Sequence, residues 1–234
     1  MPEEFEGDLR DAVFWGAELN GATFRYVDLT GVRITHSLVV DVDVDAIVDR
    51  VVINGVDVTD YVNERDRWYP LRAMVRAPDV DGMRAAWHAL ESTWAPTLER
   101  ARALPDAKLH ESVNGEWSFL ETLRHLVFAI DKWCTVPLLG GELHPYGIPN
   151  TSSRDRYPTL DHGSDPTLAE VLAVRADRAA GFRALLGTLA DDDLDRVVEV
   201  SENGANPVRE CIFTVLEEEF WHHRYAVRDL ELLS

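Results

Sequence analysis

Residues 207–230 read PVRECIFTVLEEEFWHHRYAVRDL, and this stretch decides the fold. Ile212, Val215, Leu216, Ala226, Val227 and Leu230 recur at the three- and four-residue spacing of one helical face. Asn206 is a good cap and Pro207 suits a first helical position, so a helix is expected from there to about Leu233. Through its middle, the positions that continue the apolar stripe are Glu219 and His223. An acid and an imidazole four residues apart stand one above the other, and burying them without partners would cost several kcal/mol. Another part of the chain must supply those partners.

Working towards the N-terminus, three more helical patterns precede this one. Thr167 with Glu170 makes a capping box ahead of Leu168, Leu172, Ala179, Phe182, Leu186 and Leu189. Ser118 with Glu121 makes another ahead of Phe119, Leu123, Leu126, Ile130 and Trp133. Trp87, Leu90, Trp94, Leu98 and Ala101 stripe a first helix over about 81–104. Four long amphipathic helices imply a mainly α protein, a four-helix bundle. The connection from Val136 to Pro166 is rich in Pro and Gly and has no period. Antiparallel neighbours need only about 2 to 8 residues, so this crossover implies that helices two and three run parallel. Its stretch from Glu142 to Ser153, with His144, Pro145, Tyr146 and Pro149, is a candidate lid.

The N-terminus has a different rhythm. Leu9, Phe14, Leu19, Phe24, Leu29 and Ile34 recur every five residues, with Gly7, Ala12, Ala17 and Ala22 two positions before the first four. Five fits neither helix nor strand but suits a solenoid that turns one corner per repeat and stacks the large residue inside. The pattern resembles pentapeptide repeats, about six of them from Phe5 to Thr35. Leu38 to Val44 is β-branched and reads as a strand, and Asn54-Gly55 between valine-rich runs reads as a hairpin. The expected organisation is a small β segment of pentapeptide-repeat type over 1–62, a linker over 63–80 with no period, and the helical domain over 81–234.

A formal net charge of −19, from 42 acidic against 23 basic residues, would repel nucleic-acid phosphates and anionic membranes. No apolar run approaches the roughly 18 residues of a membrane helix, and the acidic start is unlike a secretory signal. A cytoplasmic protein with no nucleic-acid or membrane partner is expected. Cys134 and Cys211 lie inside helical patterns and read as buried free thiols. Lys108 and Lys132 are the only lysines among the basic residues, an arginine bias that fits a GC-rich genome.

His125 is the one histidine in the middle of helix two's apolar sequence. With Glu219 and His223 it would form a His2Glu set, which suits zinc with an open position or a facial-triad metal such as iron. Two other readings stay open. Glu219 and His223 could form a buried charged hydrogen bond beside a neutral His125. Alternatively, Glu218 and His222, on a more polar face, could be the ligand pair, although His222 is expected to point elsewhere.

Trp117-Ser118 leading to Leu123-Arg124-His125-Leu126, and Trp221-His222-His223-Arg224, resemble the DinB-like superfamily. Its members carry one metal-binding histidine on the second helix and a His-x-x-x-His pair on the fourth; here the first of that pair falls at Glu219. The resemblance covers about 81–234. It implies a divalent metal (zinc, with iron or nickel as alternatives) and homodimerisation. It also implies a metal-dependent S-transferase in which a low-molecular-weight thiol of the mycothiol type attacks a small electrophile. Arg224 or the lid would then contact an anionic small-molecule substrate. Metal-dependent hydrolysis is a variant of the same site, and a non-catalytic interaction protein with a degenerate centre is the reading from another class.

Overall fold

The computed structural model describes residues 5, 7–24 and 27–233, and these divide into two units, Met1–Asp45 and Ala46–Ser234. The other positions of the expected repeat segment lie outside the described residues. The protein is mainly α. In chain order the second unit comprises a hairpin of β1 (Val52–Ile53) and β2 (Val56–Asp57), then α1 (Thr59–Asn63), α2 (Tyr69–Arg72), α3 (Val80–Arg102) and α4 (Asp106–Leu109). There follow α5 (Phe119–Ile130), a π turn (Asp131–Thr135), α6 (Val136–Leu139), α7 (Leu168–Thr188), the hairpin of β3 (Val197–Val200) with β4 (Gly204–Pro207), and α8 (Val208–Leu233).

The expected capping boxes are formed. Ser118 Oγ accepts from the Glu121 amide at 3.2 Å while Glu121 Oε2 accepts from the Ser118 amide at 2.9 Å, and Thr167 and Glu170 repeat the exchange at the start of α7. The long helices pack α5 on α7 and α8, and α3 on α7 and α8. One apolar cluster joins Trp87, Leu90, Phe182, Leu186, Leu216 and Phe220; a second joins Trp94, Phe119, Leu123, Leu126, Ala226 and Leu230. No helix among the described residues is long and apolar enough to cross a membrane.

Two expectations are corrected here. Residues 63–80 are not a loose linker: Leu71, Val75 and Val80 are buried in the first cluster, and Arg72, paired with Asp66 at 3.0 Å, also donates to the Ala46 carbonyl. Pro207 does not open α8 but ends β4, pairing with Val197. Only the first arm of that hairpin, Val197–Val200, is rich in strand formers; the second arm, with Ala205, Asn206 and Pro207, is not, and its Asn-Pro pair mimics a helix start.

In the N-terminal unit the backbone takes positive φ every five residues, at Asp11, Gly16 and Gly21 and again at Gly31, His36 and Asp41, and hydrogen-bonded turns recur every ten, where the Ala12, Ala22 and Val32 amides donate to the Leu9, Leu19 and Leu29 carbonyls. Asp11, Gly21 and Gly31 take positive φ at the third position of each turn, the geometry of type II turns. The large residues are not enclosed: Leu19 is 48% exposed and Phe14 62%, because so short a stretch gives each large residue a neighbour on at most one side. Leu38 to Val44 forms no strand among the described residues.

The crossover is tied to α5 by Arg124. Its guanidinium donates to the carbonyls of Tyr146 (2.8 Å), Ser164 (2.7 Å) and Asp161 (2.7 Å), and its own carbonyl accepts from the Ile148 amide at 3.4 Å. Gly147 presses on the helix so closely that a Cβ there would lie 3.2 Å from Phe128 Cβ. Asp131, fully buried, anchors the start of the loop by accepting from the His144 amide at 2.7 Å and pairing with Arg178 of α7 at 2.5 Å. Replacing Arg124 by Met leaves those carbonyls without donors, so urea denaturation should show a loss of about 3 kcal/mol. Limited proteolysis of Arg124→Met should cut within 140–166, a segment that resists in the parent; equal resistance in both would show that the loop is held elsewhere.

Candidate metal centre

Where α8 meets α5, the carboxylate of Glu218 sits between two imidazoles. Glu218 Oε2 lies 3.3 Å from His125 Nε2 and 3.1 Å from His222 Nδ1, and the two rings are near-parallel with centroids 4.9 Å apart. Among the described residues this trio is the one group of histidine, cysteine and acidic side chains whose donor atoms converge closely enough for a metal ion. The imidazoles are nearly buried, while Glu218 keeps 26% of its side chain exposed, so one edge of the group is reachable from solvent. Trp117, just before the cap of α5, covers the rings at 4.6 Å from His125 and 6.2 Å from His222.

Both imidazoles are oriented by backbone. His125 Nδ1 hydrogen-bonds the Ile148 carbonyl of the crossover at 2.8 Å, which directs Nε2 to Glu218, and His222 Nδ1 lies 2.9 Å from the Glu218 carbonyl one turn back. At His125 the carbonyl takes the ring nitrogen turned away from Glu218, which is how metal-ligating histidines are held, whereas at His222 the same Nδ1 faces both the carbonyl and the carboxylate. Burial works to raise the Glu218 carboxyl, but hydrogen bonds from His125 and His222 and the charge they carry outweigh it and hold the group well below the usual carboxylate range. Burial works to lower His222, yet the Glu218 carboxylate prevails and raises it. Two nitrogens and a carboxylate oxygen, already deprotonated at the acid, fit a divalent ion of the zinc or iron type.

The set expected from the apolar stripe is not assembled. Glu219, 1% exposed, points instead to α7, where Arg175 Nη2 donates to its Oε2 at 2.9 Å. His223 faces α3, with Nε2 2.9 Å from Thr97 Oγ1 and its ring edge-on to Trp94 at 4.9 Å and Trp68 at 5.7 Å. Arg224 packs its guanidinium among the Trp221, Trp68 and Phe220 rings at 5.0 to 5.9 Å. The physical reason is that α8 is buried on two sides. The stripe marks the side facing α3 and α7; the side facing α5 begins one residue away.

Three further histidines are engaged elsewhere. His110 Nδ1 pairs with Asp165 at 2.7 Å, His144 Nδ1 accepts from the Tyr146 amide at 3.1 Å, and His162 Nε2 hydrogen-bonds the Tyr157 carbonyl at 3.0 Å.

A family model described as the DinB superfamily matches residues 89–226, more than half of the chain and the whole of this site. The chain belongs to the DinB superfamily. A second model, described as pentapeptide repeats (8 copies), matches residues 7–38, a span with room for about six five-residue repeats, the number that the spacing of large residues suggested. No curated protein and no solved structure gives a significant match to the chain. Within this DinB superfamily member the acid and imidazole of the fourth long helix that face His125 are Glu218 and His222, each one residue before Glu219 and His223.

His223 offers a test of its assigned surroundings. Burial pushes its pKa down from 6.5 to about 4, so the folded protein holds it neutral. Below its ordinary value the unfolded chain takes up a proton that the folded state refuses, so its contribution is complete above pH 6.5 and is lost as pH falls towards 4. The parent should therefore lose about 3 kcal/mol more than His223→Gln between pH 7 and pH 4 in urea titrations. The same pH dependence in both proteins would place His223 in a solvated site.

Proposed function

We propose that this protein is a metal-dependent enzyme in which His125, Glu218 and His222 hold a divalent ion inside a DinB-like four-helix bundle, the reaction being transfer to or from an external thiol. The observation that carries the reading is the buried His-Glu-His group with one edge open to solvent. A divalent ion bound there, zinc foremost with iron and nickel as alternatives, supplies Lewis acidity that makes a thiol more acidic. The pairing of the four long helices, with a long crossover before α7, supports the bundle reading.

The chain's own residues do the positioning. The Ile148 carbonyl sets the tautomer and aim of His125, and Trp117 closes one side of the imidazoles against water. Neither cysteine serves as nucleophile. Burial raises the Cys134 thiol well above its ordinary value and pushes Cys211 up to about 11, so a reactive thiolate must come from a small molecule. Hydrolysis is the same site with water in place of the thiol. A non-catalytic interaction role draws on a different observation, the exposed apolar side chains of the repeat unit, with Trp15 93% and Leu38 91% exposed.

Elemental analysis after incubation with zinc, iron(II) or nickel separates these readings. The parent and His223→Gln should each retain about one ion per chain, while His125→Ala and His222→Ala retain little. Metal in none of the four, or metal lost from His223→Gln and kept by His222→Ala, would overturn the assigned centre.

A further inference from the structure

The metal centre leaves unused a partly buried cation two turns further along the same helical line. Lys132 lies in the π turn that continues α5, a local widening found often at functional sites, and its side chain is only 14% exposed. Phe128 links it to the centre, its ring 6.1 Å from the His125 imidazole and 5.9 Å from Lys132 Nζ. The Trp133 and Tyr157 rings stand 5.6 and 5.9 Å from the same ammonium, and the Glu218 carboxylate is near enough to act on it electrostatically.

The anion paired with this cation is Glu202, at the tip of the β3–β4 hairpin. Its Oε2 lies 3.8 Å from Lys132 Nζ and 3.8 Å from Arg156 Nη1, both longer than a hydrogen bond. Glu202 has φ +68, a left-handed conformation that costs a non-glycine residue about 1 kcal/mol or more. Beside it the Tyr157 hydroxyl is buried without a well-aligned hydrogen bond, although the carboxylate stands next to it. A desolvated ammonium, an unsatisfied hydroxyl and a rim guanidinium thus share one carboxylate, loosely held on a strained turn.

We infer that Lys132, Tyr157 and Arg156 form a carboxylate-binding subsite beside the metal centre, that Glu202 occupies it as an internal carboxylate, and that a ligand's carboxylate takes its place. Assignment of that ligand as the substrate rests on the proposed metal centre; the subsite itself does not. The Glu202 carboxylate shows which chemistry fits: a planar monoanion that faces an ammonium, a phenol and a guanidinium together. Its release lets the hairpin tip relax and opens the line from Lys132 past Phe128 to Glu218, so a ligand anchored by its carboxylate extends towards the metal.

Isothermal titration of the full-length, chelator-treated protein with glutarate, and with its neutral diamide as control, tests this. Removing the internal anion in Glu202→Gln should tighten glutarate binding about tenfold, since it removes like-charge repulsion and competition. Lys132→Met should abolish binding and Lys132→Arg should retain it, with the diamide inert throughout. Should Lys132→Met fail to fold by circular dichroism, Lys132→Arg and Glu202→Gln decide between them. Glutarate binding that is absent from parent and Glu202→Gln, or of equal strength in both, overturns the subsite; a purely structural ion pair would show Glu202→Gln less stable with no gain in affinity. Metal content measured on the same preparations before chelation, and again after reloading with zinc, keeps the two readings apart. Metal without the carboxylate pattern sinks the subsite alone, and the carboxylate pattern without metal keeps the subsite and sinks the centre.

Discussion

One helical turn, Arg124 and His125, holds the crossover and orients the candidate centre at once. Arg124 satisfies three carbonyls of the loop, and the backbone so fixed presents the Ile148 carbonyl to His125. Buried irregular backbone must find hydrogen-bond partners, and a guanidinium with five donors in a fixed fork can supply several of them from one side chain. The aim of the imidazole is therefore a property of loop closure as much as of the helix that carries it. Gly147 and the Asp131–Arg178 pair serve the same closure, one by allowing contact with Phe128 and the other by tying the helix end to α7.

On α8 two acid and imidazole pairs, offset by one residue, meet opposite electrostatic surroundings. Glu218 and His222 face His125, and there the Glu218 carboxylate and the His222 imidazole stabilise each other's charged forms. Glu219 is answered by Arg175, whereas His223, among Trp68, Trp94 and Thr97, has no acid against it and stays neutral. Chemistry that needs a charged, partly reachable group is thus confined to the α5 side of the helix. The α3 and α7 side serves the core.

The repeat unit follows another logic. Its turns close on backbone hydrogen bonds every ten residues, and its large side chains stay substantially exposed. Its regularity resides in turn geometry, with Gly21, Gly31 and Asp11 at the left-handed positions, and not in a filled interior.

The sequence by itself determined the mainly α class, the extents of the long helices to within a few residues, both capping boxes, the five-residue repeat and the place of His125. These are local properties, fixed by periodicity and by side chains bonding backbone three residues away. It did not determine which of two adjacent pairs on α8 joins His125, because a helix buried on two sides has more than one inward face and the apolar stripe marks only the wider one. Nor did it place Glu202 by Lys132, 70 residues apart in the chain. Only tertiary packing decided those, since a rotation of about 100° per residue carries a side chain from one neighbour to the next, and which neighbour stands there is set by the assembly of α3, α5 and α7 around α8.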